Sequence, residues 1–132
     1  MADALFRLVC TAGVLEGAPD GWIATMVEEG DLALLVDDGG LDAITRLAHA
    51  LDLVTIPLLR TEDEAQRQES TVMSYAGSKP LVWIASGFGE PATRWAHDRG
   101  PMTLLVEADG GLSDDERRRL ERFVVILGRQ AE

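Results

Sequence analysis

The chain reads as an α/β protein: one three-layer domain spanning residues 1–132, with about five mainly parallel strands alternating with helices. Three observations predict this. Short apolar runs recur along the chain, and each ends in a turn of small or polar residues. Between them, apolar residues repeat about every 3.6 positions, the helical period. Apolar residues make up 46% of the 132, enough to build one core without metal or disulfide staples.

The elements follow in order. Residues 5–10 form the first strand, closing on Thr11, Ala12 and Gly13. Residues 19–29 carry a weak helical pattern. The second strand, residues 32–36, ends in Asp37, Asp38, Gly39 and Gly40; Leu41, Ile44, Leu47, Ala48 and Leu51 then fall on one helical face. Residues 53–59 form the third strand. The segment after it, residues 62–75, is polar until Val72 and Met73, so it covers the sheet loosely or begins as a loop. The fourth strand, residues 81–85, leads through Ser86 and Gly87 into a helix with Phe88, Ala92, Trp95 and Ala96 on one side and Pro91 in its first turn. The fifth, residues 102–106, is followed by a helix whose start is marked by a capping box from Ser113 to Glu116. Leu120, Phe123, Val124 and Leu127 form its buried stripe, and Gly128 stands where the helix is expected to stop. Val125 and Ile126 widen that stripe beyond what one sheet face needs, which points to a homodimer contact through the C-terminal helix.

Strand order is constrained by Pro57, which has no N–H to give a ladder and belongs at an edge or a bulge. A Rossmann-like order 3-2-1-4-5 places the third strand at the edge and is favoured over the flavodoxin-like order 2-1-3-4-5, which buries it in the centre. In such sheets ligands bind beyond the carboxyl ends of the strands, where the order reverses. That places a crevice between the first and fourth strands, with Thr11 and Gly13 on one side, Ser86, Gly87 and Gly89 on the other, and Asp37 next door. These six are the candidate ligand-binding residues. The stretch 86–91 opens a helix, so its free N–H groups suit an anion. The plainer reading is that Gly87 and Gly89 only make a tight turn and Ser86 only caps it.

Charge and motifs narrow the chemistry. Twelve basic residues against twenty-three acidic ones leave −11, which disfavours nucleic acid as a partner. No apolar run reaches membrane-spanning length, the start lacks the pattern of a signal peptide, and the single cysteine fits a reducing compartment; a cytoplasmic location is expected. A dinucleotide fingerprint is missing, because Gly13 and Gly17 are wrongly spaced, and Lys79 is the only lysine, so a phosphate-loop lysine is missing too. Asp37 and Asp38 with Glu107 and Asp109 offer carboxylates for Mg²⁺, or simply decorate loops. His49 and His97 are not paired at metal or triad spacing. Cys10 ends the first strand as either a nucleophile or an inert buried thiol. Trp22 follows Pro19, Asp20 and Gly21, where it is placed to cover a ligand or a partner surface, whereas Trp83 and Trp95 read as core residues. Arg117, Arg118, Arg119 and Arg122 read as the solvated side of the last helix, laced with Asp114, Asp115 and Glu121. The sequence specifies no cofactor.

Two local resemblances add to this. Residues 8–13 resemble the phosphocysteine loop of bacterial sugar-phosphotransferase IIB components, without the run of Ser and Thr donors that follows it there. Residues 79–106 look like the carboxyl half of Mrr-type restriction-endonuclease-like domains, through residues 82–89, Ala92, Ala96, Gly100, Leu104 and Leu105. The acid and Glu/Gln-x-Lys of that family's catalytic strand have no counterpart in residues 55–60, and a helical segment replaces its hairpin. That resemblance therefore implies a non-cleaving relative used for recognition, and no catalytic residue carries over. The expected function is a non-catalytic binding or regulatory module, taking a small anionic ligand in the crevice or a protein partner. The alternative is an enzyme acting on a phosphorylated or nucleotide-like substrate with strand-end carboxylates and a divalent metal.

Overall fold

The computed structural model describes residues 5–15, 18–19, 21–28, 30–36, 40–50, 57–59, 64–108 and 110–131. Four strands form one all-parallel sheet: β1 (Phe6–Thr11), β2 (Gly30–Leu35), β3 (Leu81–Ala85) and β4 (Thr103–Glu107), in the order β2-β1-β3-β4. Helices α1 (Ala12–Leu15), α2 (Trp22–Met26), α3 (Gly40–Ala50), α4 (Ala65–Ala76), α5 (Glu90–Arg99) and α6 (Asp114–Ala131) connect and flank them, with a 3-10 turn over Gly100–Met102.

Both faces of the sheet are covered, which is why the strands read as unbroken apolar runs instead of alternating ones. Phe6, Leu8 and Cys10 of β1 point to one face with Leu32, Leu34, Val82, Ile84 and Val106, and pack there against residues of α1, α2, α3 and α6. Val9, Leu81 and Trp83 point to the other, against Val72 and Ala76 of α4 and Ala92 of α5. The polar start of α4 faces outward, so residues 65–75 of the segment that reads as loose in sequence form a regular helix held by its last two turns.

Residues 57–59 of the third predicted strand run beside β2. The Leu34 N–H donates to the Pro57 carbonyl at 3.0 Å and the Leu59 N–H donates to the Leu34 carbonyl at 2.9 Å, making a single parallel bridge between Leu34 and Leu58. Pro57 thus contributes a carbonyl, the group it has. The rest of that predicted strand lies outside the described residues.

Several local expectations need correction. The helix α6 continues through Gly128 to Ala131, because the buried Leu127 secures the last turns and a helical glycine costs only about 1 kcal/mol. Leu41 is 65% exposed, and Ala43 takes the buried place beside Leu47. Arg117 is not on the solvated side: its side chain is 17% exposed and turns back to the Leu112 carbonyl at 2.8 Å and to Asp114. The capping box forms as read, with Ser113 N–H donating to Glu116 Oε1 at 2.8 Å and Glu116 N–H to Ser113 Oγ at 3.2 Å.

The opposite, amino-terminal edge of the sheet is fastened by two arginines. Arg7 donates to the Tyr75 carbonyl and stacks 4.5 Å above the Tyr75 ring; Arg99 donates to the Lys79 carbonyl and stacks 4.5 Å above Trp95. Each guanidinium thereby binds a carbonyl freed at or after the end of α4 and keeps its planar face on an aromatic ring. Among the described residues, no helix is long and apolar enough to cross a membrane.

Candidate functional site

The register sets the carboxyl ends of the strands level: Thr11 pairs with Leu35, and Ala85 with Glu107. Since β1 leads to β2 on one side while β3 leads to β4 on the other, the order reverses between β1 and β3. Thr11 and the turn at Ser86 therefore stand on the same rim, next to each other across the reversal.

The two sides of that rim differ in character. On the β1 side no loop intervenes. Helix α1 begins at Ala12, and Ala12, Val14 and Leu15 are buried in the core beneath it, with Gly13 and Thr11 partly exposed. The turn expected after Thr11 is thus a short helix whose buried side chains form an apolar plug, while the first N–H groups of that helix have no partner within it. Cys10 is fully buried within that plug, and burial pushes its thiol up to about 12, the opposite of what an attacking thiolate needs.

On the β3 side the turn is open. Ser86 and Gly87 are exposed, and Gly89 is the N-cap of α5. Ser86 does not cap the helix; the cap is made by a residue that sequence reading had passed over. Glu69 of α4 reaches across, and its Oε2 accepts the Gly89 N–H at 2.7 Å. A Cβ at Gly89 would lie 2.8 Å from Glu69 Oε1, so a side chain there would make the flexible carboxylate shift. The short charge-assisted bond and the positive end of the α5 dipole both favour an anion at this position. A signal for Glu69 exists in the sequence, since it lies one turn before Val72 and Met73 on the apolar stripe of α4, where an acid is out of place.

Phe88 anchors the turn from below, its ring meeting Trp83 edge-on at 5.0 Å between centroids. The indole N–H of Trp83 is buried and finds no acceptor among the described residues. Asp37, together with Asp38 and Asp109, lies outside the described residues. Glu107 is exposed at the end of β4, and His49 and His97 are exposed on α3 and α5. Among the described residues, no group of three or more His, Cys, Asp or Glu is placed to hold a metal ion. Trp22 packs partly buried against the core, and its indole N–H donates to Glu121 Oε1 at 2.9 Å, tying α2 to α6.

The rim therefore joins an apolar plug to an anion-accepting turn that the protein's own carboxylate occupies. No known family model matches the chain, and neither does any curated protein or solved structure.

Proposed function

We propose that this chain is a non-catalytic binding or regulatory module in which the turn from Ser86 to Gly89 takes the anionic group of a small ligand in exchange for the Glu69 carboxylate. One observation supports this above the others: the Gly89 N–H already holds a carboxylate at 2.7 Å, at the end of a ten-residue helix and beside the point where strand order reverses. A half-buried internal carboxylate with water within reach is a weak competitor, because it can leave for solvent at modest cost. The module reading also fits the burial of Cys10, which removes the one cysteine from the rim chemistry.

The finer architecture belongs to the same reading. Residues 57–59 are taken as part of a fifth strand outside β2, which gives the Rossmann-like order 3-2-1-4-5 and leaves Pro57 at the edge. A cytoplasmic location is in keeping with the single cysteine.

The test compares the wild-type chain with Glu69→Ala in calorimetric titrations of inorganic phosphate, AMP and glucose 6-phosphate, with and without Mg²⁺. Glu69→Ala is expected to bind at least one of the three about tenfold more tightly than wild type, independently of Mg²⁺. No binding by either protein overturns the reading. Binding that requires Mg²⁺ and disappears in Asp37→Asn instead favours the enzyme acting on a phosphorylated substrate.

A further inference from the structure

Helix α6 carries a stripe that the fold does not use. Leu120 and Leu127 are buried against the sheet, while Val125 and Ile126 on the far side are 52% and 46% exposed. Arg122 stands one turn before this pair and Arg129 one turn after, with Arg118 and Arg119 a further turn back; all four are exposed. The spacing of three and four residues puts them in one line along the helix. Arg118 has an exposed partner in Asp115, at 3.2 Å, but no ion pair joins Arg119, Arg122 or Arg129 to another described residue.

The charge of this stripe runs against that of the molecule. Helix α6 holds five arginines and four acids, so the remainder of the chain, with seven basic and nineteen acidic residues, carries −12. A basic line with an apolar centre on an acidic protein needs a reason, since single exposed apolar residues and salt-laced helix faces are ordinary but their superposition here is local.

We propose that this stripe is a docking surface for an acidic amphipathic helix of a partner protein, whose apolar residues cover Val125 and Ile126 and whose carboxylates meet Arg119, Arg122 and Arg129. Charge complementarity selects this occupant over a second copy of the chain. Pairing α6 with itself about Val125 and Ile126 sets Arg122 against Arg129 of the other copy in the antiparallel arrangement, and against Arg122 in the parallel one; both are repulsive. An anionic membrane surface would attract the arginines but repel the −12 carried by everything behind them. A single partner helix meets only the stripe. Arginine suits the contact, because its planar fork binds carboxylates with two bonds while its stem adds apolar cover.

The probe is a fluorescein-labelled synthetic helix of about three heptads with leucines on one face flanked by glutamates, compared with the same peptide carrying lysines in place of every glutamate. Anisotropy titrations with the full chain are expected to show binding of the acidic peptide, weakened by salt, and weaker or absent binding of the basic one. Val125→Asp with Ile126→Asp should reduce the affinity by about tenfold or more, and Arg122→Glu with Arg129→Glu should invert the preference between the two peptides. Both double variants change only exposed side chains, and circular dichroism checks that they stay folded. Equal binding of the two peptides, or none at about 1 mM, overturns the proposal. So does a wild-type dimer in sedimentation equilibrium that Val125→Asp with Ile126→Asp splits, or co-sedimentation with phosphatidylserine vesicles that the same change abolishes.

Discussion

The Phe6 ring fills the space in which Gly30 would carry a side chain. The two residues are register partners across β1 and β2, and a Cβ on Gly30 would lie 2.5 Å from Phe6 Cζ. Phe6 is fully buried and belongs to the core between the sheet and its helices, so it has little room to retreat. Gly30→Ala is therefore expected to destabilise the protein by about 1–3 kcal/mol through overpacking. Urea denaturation reads this directly. Phe6→Leu in the Gly30→Ala background should recover part of the loss, whereas the two changes should simply add if the ring and the glycine do not meet.

At the start of α6, the reciprocal bonds between Ser113 and Glu116 satisfy two N–H groups that the helix itself leaves open. Ser113→Ala should cost about 1 kcal/mol, and Ser113→Asp should retain most of the stability, because a carboxylate accepts the same bond and suits the dipole. Thermal unfolding of the two variants separates cap loss from mere change of side chain: equal losses would show that the box contributes nothing.

These two sites mark what the sequence made legible and what it did not. The capping box is a local pattern, three residues apart, so it could be read directly. The apolar runs of β1, β3 and β4 were legible for a related reason: strands buried on both faces lose the polar alternation that would otherwise blur them into loops. The overlap of Phe6 with Gly30 depends on a register that brings residues twenty-four apart together, and nothing local encodes it. The site divides in the same way. Ser86, Gly87 and Gly89 announced an exposed turn before a helix. Glu69, twenty residues earlier, entered only once α4 was laid on the sheet beside α5. On the β1 side Thr11, Ala12 and Gly13 look like a loop by composition, whereas Thr11 ends β1 and Ala12 opens α1, a helix held by the buried Val14 and Leu15.

Burial also fixes how the protein responds to alkali. The Cys10 thiol is pushed up from 9.0 to about 12 by loss of solvent, so the folded state holds its proton where the unfolded chain releases it. A group raised in the folded state contributes stability that is fully present below the unfolded value and is lost as pH climbs towards the folded one. Stability is thus expected to fall between pH 9 and pH 12 more steeply in wild type than in Cys10→Ala. Tyr75, also raised by burial, acts in the same direction in both proteins and cancels from the comparison. The parallel readout is alkylation by iodoacetamide, which should follow the rate of opening and speed up with denaturant. A native rate equal to that of a free thiol would place Cys10 at the surface.

Trp83 presents two opposing costs in one side chain. Its ring is buried between the sheet and α4 and α5 and meets Phe88 edge-on, while its indole N–H is buried without an acceptor among the described residues. An unpaired buried donor costs about 1–3 kcal/mol, and Trp83→Phe removes it while keeping an aromatic ring beside Phe88. The smaller ring leaves a void whose cost offsets that gain, so Trp83→Phe is expected to change stability by less than about 1.5 kcal/mol. Trp83→Ala forfeits the packing and should lose about 3–5 kcal/mol. Chemical denaturation of the pair decides between the two accounts. A Trp83→Phe variant that falls nearly as far as Trp83→Ala would mean that the indole N–H is satisfied in solution, by a bound water between β3 and the helices, and that the donor belongs among the forces holding the Phe88 turn in place.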